Sequence, residues 1–331
     1  MCRGDFFMLI SFFETTEYEK AEYVKALGNI PNVQLQFFSD IIQNVEEKDY
    51  IQSDILSVFV YSKIDKQIID KCSNLKLIST RSTGMDHIDT SYAKDKNIQV
   101  LNVPLYGENT VAEHTFALIL TLSRKIQESL LKTKKGNFST TDLMGFDLKG
   151  KTIGILGGGR IGLHVAQIAK SFGMRVLVYD INEDMFLSEL IGFTYMSLDN
   201  VLSSSDIISL HLPLNASTKY IIHRETLEKM KDNTLLINTA RGSLIRTDDL
   251  IDALNTGKLC GVGLDVLDGE QYLTEESIFS NPSIPATDVI RQCKQLTDMP
   301  NAVLTPHNAY NSAEAISRII SETVKNIRSV L

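Results

Sequence analysis

The segment KTIGILGGGRIGLHVAQIAKSFGMRVLVYD, residues 151 to 180, constrains the fold more than any other part of the sequence. An apolar run leads into a cluster of glycines, a helical pattern follows up to Gly173, and a second apolar run ends at Asp180. The hydrophobic pattern changes from that of a strand to that of a helix and back to that of a strand. It predicts a β-α-β unit whose helix ends at the glycine. We expect the inner face of the helix to be formed by Ile161, Val165, Ile168 and Phe172.

The glycines between the strand and the helix have the spacing GxGxxG, at Gly157, Gly159 and Gly162. In a dinucleotide-binding loop the first permits a tight turn, the second admits a pyrophosphate, and the third lets helix and strand pack closely. The helix N-terminus then faces the phosphates. Asp180 lies 18 residues beyond Gly162, near the spacing of about 20 for a carboxylate that binds the adenosine ribose. This carboxylate favours NAD over NADP, and the alternative is an ordinary strand-end acid.

Further apolar runs alternate with helical patterns along the chain, which predicts an α/β fold with parallel sheets. Thr16 and Glu19 have capping-box spacing for a first helix that ends at Gly28. A long helix is expected from Thr110, with Glu113 as its capping partner. The predicted strands lie in FFMLISFF (6–13), SVFVYS (57–62), LKLIST (75–80), IQVLNV (98–103), DIISLHL (206–212), TLLINT (234–239), GVGLDV (261–266) and NAVLTP (301–306).

Composition excludes several classes of protein. The 331 residues are enough for two domains or for one large α/β unit. A formal net charge of -8, from 41 acidic and 33 basic residues, argues against nucleic acid and anionic membranes as partners. No apolar stretch approaches the roughly 18 residues that cross a bilayer. The cysteines are far apart, show no metal-type pairing and indicate a reducing cytoplasm: Cys2, Cys72, Cys260 and Cys293.

Three ionisable residues, Arg241, Asp265 and His307, directly follow predicted strands. Ligands of a doubly wound sheet bind outside the carboxyl ends of its strands, so we expect these side chains to converge beside the cofactor. An unpaired guanidinium is costly to bury, and we predict that a substrate carboxylate is the partner of Arg241. The alternatives are that Arg241 only pairs with Asp265 and that His307 is an ordinary loop histidine.

Seven motifs, in order along most of the chain, resemble those of the NAD-dependent D-isomer-specific 2-hydroxyacid dehydrogenases, closest in character to the D-lactate dehydrogenases. Any one of these motifs is weak evidence, but the ordered set is specific. The motifs are RSTGMDHID (81–89), NVPLYGENTVAEH (102–114), GILGGGRIG (154–162), HLPLNAST (211–218), INTARGSLI (237–245), GLDVLDGE (263–270) and TPHNAY (305–310).

The resemblance implies two Rossmann-like, doubly wound parallel-sheet domains with the active site in the cleft between them. A discontinuous substrate domain is implied for residues 1–104 and 308–331. An NAD-binding domain is implied for residues 105–307, including a dimerisation helix from about residue 110. No metal site is predicted.

The resemblance also implies roles for single residues. Arg241 would bind the substrate carboxylate, His307 would be the general acid/base, and Glu270 would be the ion partner of His307. Physical chemistry agrees, because an imidazole can exchange the proton that reduction of a 2-keto acid requires, and a carboxylate on its far nitrogen fixes its tautomer. Further substrate contacts are implied for the backbone amides of Thr83 and Gly84 and for Tyr106 and Tyr310. Cofactor contacts are implied for Gly157, Gly159, Arg160, Ile161, Gly162, Asp180, Leu212, Pro213, Thr218, Thr239, Ala240 and Asp265.

Several positions depart from the common pattern of the family. Asp268 stands where glutamate is usual, LYGEN (105–109) replaces a more frequent Tyr-Ser-Pro run, and Asn308 follows His307 where an aliphatic residue is common. Glu270 has the alternative of being solvated in an acidic turn beside Asp268. The stretch from 271 to 299 is long for a connector and is predicted to form a lid or surface flap. The remaining histidines are interpreted as structural or surface groups: His87, His114, His164, His211 and His223.

The sequence therefore predicts an NAD-dependent reductase of small 2-keto acids, converting pyruvate to D-lactate, that works as a cytoplasmic homodimer. The alternatives are a reductase of hydroxypyruvate, glyoxylate or a branched 2-keto acid, and an NAD-sensing scaffold that resembles a corepressor. The preferred acid, the physiological direction and the closure of the cleft stay open. The dimer is expected to form through the apolar face of the long helix, composed of Val111, Thr115, Leu118, Ile119 and Leu122.

Overall fold

The computed structural model of the protein describes residues 7 to 270, residue 273 and residues 284 to 331. The chain divides into two compact units, Met1–Tyr106 together with Ser312–Leu331, and Gly107–Asn311. Each unit is built on a parallel sheet that is covered by helices. The assignment of substrate and cofactor roles to these units, with bounds at residues 104 and 308, stays a prediction.

Strands and helices alternate along most of the chain, as the sequence predicts. The strands are β1 (Met8–Phe12), β2 (Val33–Phe37), β3 (Ile55–Val58), β4 (Leu77–Thr80), β5 (Gln99–Leu101), β6 (Thr152–Leu156), β7 (Arg175–Tyr179), β8 (Thr194–Tyr195), β9 (Ile207–Leu210), β10 (Thr234–Asn238), β11 (Leu259–Leu264) and β12 (Ala302–Leu304). The helices are α1 (Glu17–Leu27), α2 (Lys66–Lys71), α3 (Thr90–Asp95), α4 (Glu108–Ser123), α5 (Ile126–Lys134), α6 (Arg160–Ser171), α7 (Met185–Ile191), α8 (Leu198–Ser204), α9 (Arg224–Lys229), α10 (Thr247–Asn255), α11 (Ile284–Asp298) and α12 (Ala313–Arg328).

The first unit contains a five-stranded sheet in the order β2-β1-β3-β4-β5, in which every neighbouring pair is parallel. Its core forms where β1 meets α1 and α12: the rings of Phe12 and Tyr23 stack 4.6 Å apart, and Ile320 is buried in the same cluster. The predicted capping box of α1 is confirmed, because the side chains of Thr16 and Glu19 each accept a hydrogen bond from the other residue's backbone.

The second unit contains a seven-stranded parallel sheet in the order β12-β11-β10-β9-β6-β7-β8. The chain starts this sheet in its interior at β6, builds outward through β7 and β8, and then returns to add β9 on the other side. Counted from β6, this is the doubly wound order of dinucleotide-binding domains with one further strand. The reversal lies between β6 and β9, which is the point where such sheets bind their ligands.

Helix α4 differs from its prediction in two respects. It begins at Glu108 with Gly107 as N-cap, so Thr110 lies inside the helix and the expected capping by Glu113 is wrong. Its apolar face is packed within its own unit, since Leu118 and Ile119 are buried in the same cluster as strand residues of the seven-stranded sheet. The expected dimer contact through that face is therefore wrong, because the face is already covered.

The predicted inner face of α6 is correct in its middle and wrong at its end. Val165 is fully buried, and Ile161 and Ile168 are partly buried against the same core. The helix ends at Ser171, and Phe172 is 38% exposed. Its ring stacks on that of Phe116 at a distance of 5.3 Å. One residue past the last turn, its side chain no longer follows the helical stripe.

The range from 271 to 299, predicted to be a lid or flap, is partly described. Residues 271, 272 and 274 to 283 lie outside the described residues. The later part is α11, in which Leu296 is fully buried and Gln292 donates to the carboxylate of Asp248 on α10 at 2.8 Å. The described part is thus a helix packed on the second unit rather than a flap. Among the described residues, no helix has the length and apolar character needed to span a membrane.

Candidate active site

The predicted site residues of the second unit lie along one edge of the seven-stranded sheet. Asn238 on β10 pairs with Leu264 on β11, and Leu264 pairs with Leu304 on β12, so these neighbouring strands end at the same level. Arg241 and His307 each follow one of these ends within three residues. Parallel strands bring residues that are distant in sequence to one edge, which is where a doubly wound sheet binds its ligand.

The glycine loop between β6 and α6 has the geometry that its spacing predicts. Gly157 adopts a φ of +106°, which residues with a side chain rarely adopt, and its N–H donates to the carbonyl of Tyr179 at 2.8 Å. A Cβ on Gly162 would lie only 2.0 Å from the carbonyl oxygen of Gly157. Turn and helix therefore touch at the backbone. A Cβ on Gly159, the N-cap of α6, would meet no atom within 4 Å, so the loop is open at the position expected to face a pyrophosphate.

Asp180, at the end of β7, is tied to this loop. One carboxylate oxygen accepts the N–H of Gly158 at 2.7 Å, and the other accepts the N–H of Asn182 at 2.8 Å. Its position is thus fixed beside the loop where an adenosine ribose would be expected. Together, the open glycine turn, the twelve-residue helix behind it and the fixed carboxylate fit a dinucleotide.

The other predicted cofactor residues follow β9 and β10 at the same edge. Thr218 folds the loop after β9 back on itself by donating to the carbonyl of Pro213 at 2.6 Å. Thr239, directly after β10, shares a hydrogen bond of 3.0 Å with Thr115 of α4. Leu212 and Ala240 lie in these loops and are partly buried against the core.

His307 and Glu270 form a direct pair. Nδ1 of His307 lies 2.7 Å from Oε1 of Glu270, and the second oxygen of Glu270 accepts the N–H of Leu267 at 3.1 Å. The alternative in which Glu270 is only solvated is therefore wrong. His307 has a φ of +49°, an uncommon conformation for a residue other than glycine, and its N–H donates to the carbonyl of Asp265 at 2.8 Å. The loop holds His307 in an uncommon backbone conformation, which persists only where neighbouring contacts stabilise it.

Asp265 supplies that support from β11. Its side chain is 1% exposed, and its carboxylate accepts the N–H groups of Asn308 and Ala309, both at 2.8 Å, as well as the hydroxyl of Thr305. The Nε2 of His114 on α4 lies 3.4 Å from the same carboxylate. Burial alone would raise the pKa of this carboxyl group, but its hydrogen-bond donors outweigh burial and hold the pKa below its usual value. The charged form of Asp265 therefore fixes the loop on both sides of His307.

Arg241 begins the short turn Gly242–Leu244 after β10. Its Nη1 donates to the carbonyl of Ala240 at 2.7 Å, and its own carbonyl accepts a bond from Asn238 at 2.9 Å. The alternative in which Arg241 only pairs with Asp265 is wrong, because the partners of Asp265 among the described residues are those of the His307 loop and α4.

The first unit carries Thr83, Gly84 and Tyr106 beyond the ends of β4 and β5. Thr83 is anchored twice, since its hydroxyl donates to the carbonyl of Val103 at 3.0 Å and its carbonyl accepts the amide of Asn102 at 2.8 Å. Among the described residues, the backbone N–H groups of Thr83 and Gly84 have no protein acceptor. Two fixed amides of this kind can bind an anion.

Two residues support these loops in ways that sequence reasoning does not predict. Arg81, 1% exposed, donates to the carbonyls of Phe13 and Glu14 at 2.6 and 2.7 Å and so anchors the start of the Thr83 loop. His114, interpreted above as structural or surface, contacts Asp265. No local pattern marks either residue, because their partners are distant in sequence. For His211, buried beside Ser209, burial lowers the pKa to about 3, which agrees with its structural interpretation.

Tyr310, the last predicted site residue, follows the His307 loop within the second unit and is partly buried.

Among the described residues, no cluster of histidine, cysteine, aspartate or glutamate side chains has the arrangement of a metal site.

Comparisons with known proteins agree with this arrangement. Residues 116–309 match the family model described as the NAD-binding domain of D-isomer-specific 2-hydroxyacid dehydrogenases. The chain is similar to the solved structure of D-lactate dehydrogenase from Aquifex aeolicus complexed with NAD and lactic acid, with 37% identity, a TM-score of 0.89, and 97% and 95% of the two chains covered.

Two curated proteins are similar over much of the chain. The D-lactate dehydrogenase of Escherichia coli is 31% identical, with 98% of this chain and 97% of that protein covered. The hydroxypyruvate reductase of Thermotoga maritima is 38% identical, with 83% of each protein covered.

Substitution of Gly162 by alanine tests the close contact in the glycine loop. We expect Gly162→Ala to lower the free energy of unfolding by about 1–3 kcal/mol, because strand or helix must shift to admit the Cβ. Gly159→Ala is the matched control, since its Cβ meets no neighbour within 4 Å and its φ is -72°. Urea unfolding of both variants measures the difference. Equal stability of the two variants would contradict the predicted contact.

The buried charge of Asp265 predicts a pH-dependent stability. A carboxyl group whose pKa is lowered by folding stabilises the protein above its unfolded pKa of about 4, and this contribution disappears as the pH falls through the folded pKa. The difference in unfolding free energy between wild type and Asp265→Asn should therefore be large at neutral pH and shrink below about pH 4. Asp199→Asn is the control, because that side chain is 63% exposed and pairs with Lys229 at the surface. A difference for Asp265→Asn that is the same at every pH would show that its charge is not involved.

Proposed function

The chain belongs to the D-isomer-specific 2-hydroxyacid dehydrogenase family, and on this premise we propose that it reduces pyruvate to D-lactate. As a member of this family, it is an oxidoreductase that uses NAD and acts on 2-hydroxy and 2-keto acids. The observation that carries the proposal is the His307–Glu270 pair, with 2.7 Å between Nδ1 and Oε1, at the ligand-binding edge of the NAD-binding sheet.

The proposed mechanism assigns the proton to His307. When bound, the nicotinamide supplies the hydride that the carbonyl carbon accepts. The carbonyl oxygen must then gain a proton, and His307 donates it as an imidazolium. Glu270 lies on the Nδ1 side, stabilises the charged ring and fixes the tautomer, so that Nε2 is the nitrogen that exchanges the proton. In the reverse direction the same nitrogen accepts the proton from the hydroxyl group.

In the second unit, binding and orientation of the substrate fall to Arg241. The guanidinium of Arg241 can hold the carboxylate in a bidentate geometry that also aligns the neighbouring carbonyl. In the first unit, the backbone amides of Thr83 and Gly84 are available as donors to an anion. In the second unit, Tyr310 contacts the side chain of the keto acid. On the cofactor side, the amides of the glycine loop bind the pyrophosphate and Asp180 binds the adenosine ribose.

The extent of similarity supports pyruvate as the substrate. The D-lactate dehydrogenases of Aquifex aeolicus and Escherichia coli match 97% and 98% of this chain. The second candidate is hydroxypyruvate, which is favoured by the higher identity of 38% to the Thermotoga maritima enzyme over a shorter match. The two acids differ by one hydroxyl group at the far end of the substrate, so only the pocket can separate them.

We further propose that the protein acts as a cytoplasmic homodimer. The described cysteines Cys72, Cys260 and Cys293 are free thiols, as a reducing compartment favours. Helix α5 exposes Leu130 and Leu131, which are 54% and 51% accessible, and a second copy of the chain would cover them.

A turnover assay with a panel of acids tests the proposed function. NADH oxidation is measured under one set of conditions with pyruvate, hydroxypyruvate, glyoxylate, a branched 2-keto acid and phenylpyruvate. We expect the highest kcat/KM for pyruvate, because its methyl group requires no polar partner in the pocket. A higher value for hydroxypyruvate would favour the second candidate. Binding of NADH without oxidation by any acid would contradict the proposed function.

Substitution of His307 tests the proton donor. We expect His307→Asn to lower kcat by about 10²- to 10⁴-fold, because no other group replaces the imidazole as acid. Binding of NADH, followed by its fluorescence, should be unchanged. His164→Asn is the control, since that histidine is exposed on α6. Equal kcat values for the His307 variant and the wild type would show that the proton comes from elsewhere.

A further inference from the structure

Three loops of the second unit meet at the side chain of Asp268. Tyr220, in the loop after β9, donates its hydroxyl to Oδ2 of Asp268 at 2.7 Å. Ser243, in the turn after β10, donates its hydroxyl to Oδ1. Asp268 itself lies in the loop after β11. A single carboxylate thus joins the loops that follow three neighbouring strands.

The two bonds lie close to the proposed substrate-binding and proton-transfer groups. Ser243 is two residues beyond Arg241, and Asp268 is two residues before Glu270. The turns that carry Arg241 and Glu270 also touch at the backbone, because a Cβ on Gly242 would lie 2.0 Å from the carbonyl carbon of Leu267. The Gly242–Leu267 contact and the Asp268 carboxylate therefore join the same two turns and fix the distance between them.

Tyr220 adopts an uncommon backbone conformation where it contacts Asp268. Its φ is +55°, which is uncommon for a bulky residue and persists only where the surroundings hold it. Its N–H donates to the carbonyl of Ser243 at 2.8 Å, and the guanidinium of Arg246 lies 4.8 Å from its ring centroid. The hydrogen bond to Asp268 is the main cause of a raised pKa for Tyr220, which is the direction expected for a phenol that donates to a carboxylate.

We propose that Asp268 is a positioning residue that sets the distance between Arg241 and the Glu270–His307 pair. The inference rests on the proposed function, in which Arg241 binds the substrate carboxylate and His307 donates the proton. The carbonyl of a 2-keto acid is adjacent to its carboxylate, so the spacing of these two groups determines whether both can act on one bound molecule. Asp268 contacts neither the substrate nor the cofactor in this role. It acts through the two turns.

Asp268→Ala tests the inference in the whole protein. We expect kcat/KM for the best acid of the panel to fall by about 10- to 100-fold, because displacements on the order of 1 Å have effects of this size. Both a lower kcat and a higher KM are expected, while the Kd for NADH stays unchanged, since the glycine loop is not involved. The double variant Ser243→Ala with Tyr220→Phe should lose as much as Asp268→Ala. The triple variant should lose no more, because all three substitutions remove the same two hydrogen bonds.

Two further variants separate positioning from general stability. Asp268→Asn retains one acceptor oxygen, and its NH2 group can donate to the other hydroxyl, so this variant should keep most of the activity. Asp206→Asn alters a comparable carboxylate at the opposite edge of the same sheet, where Asp206 accepts the N–H of Thr152 at 2.8 Å. It should leave kcat/KM unchanged even if the melting temperature falls. Hydrogen exchange of residues 241–246 and 266–270 should quicken in Asp268→Ala and not in Asp206→Asn.

The outcomes distinguish this inference from the proposed function. A wild-type protein that reduces none of the acids contradicts the proposed function and the inference with it. An active wild type whose Asp268→Ala variant binds NADH and retains its kcat/KM overturns the inference alone, whether or not hydrogen exchange changes. An equal loss of kcat/KM in Asp206→Asn overturns it as well, because the effect would then follow stability and not position.

Discussion

The arrangement of the proposed proton donor depends on one buried charge. Asp265 is almost completely inaccessible, and a carboxylate in such a place is stable only if donors surround it. Those donors are the backbone amides of Asn308 and Ala309 and the hydroxyl of Thr305, which flank His307 on both sides. A buried charge needs hydrogen-bond donors, and a strained loop needs stabilising contacts. The same hydrogen bonds to Asp265 provide both.

Helix α4 extends this arrangement to a second loop. Its consecutive residues His114 and Thr115 contact the Asp265 carboxylate and Thr239, respectively. One rigid helix thus touches the loop after β10, which leads to Arg241, and the carboxylate that fixes the His307 loop. The proposed site is built from loops, but each loop is held by a regular element or by a carboxylate at a strand end. Such a supporting layer is what keeps reactive groups in register.

Much of this architecture could be predicted from sequence, for identifiable reasons. The strand-to-helix turn at Gly157 has a local cause, a backbone conformation and a close approach that only glycine permits. The pairing of His307 with Glu270 was accessible only through the resemblance of the motifs, because 37 residues separate the two. Once the motifs indicate a parallel sheet, the convergence of strand ends follows from geometry.

What could not be predicted depends on contacts that leave no periodic signal. Strand β2, VQLQF, is an edge strand with only partly buried apolar residues, so its pattern is weak. The start of α4 at Glu108 was missed because Gly107 caps it without a side-chain bond, whereas Thr110 and Glu113 imitate a capping box. Phe172 fits the helical stripe by position but lies just beyond the last turn.

The carboxylates along the sheet edge are stable there because the chain itself supplies their hydrogen-bond donors. An edge that is to bind a dinucleotide and a keto acid, both anions, carries Asp180, Asp265, Asp268 and Glu270. Each of these carboxylates accepts hydrogen bonds from the chain itself: from Gly158 and Asn182, from the His307 loop, from Tyr220 and Ser243, and from Leu267 and His307. These hydrogen bonds fix the shape of the loops that carry the carboxylates. In the proposed function, Arg241 at the same edge provides the positive charge that an anionic substrate requires. In the proposed function, these carboxylates therefore fix the loops that present Arg241 and His307 to the substrate.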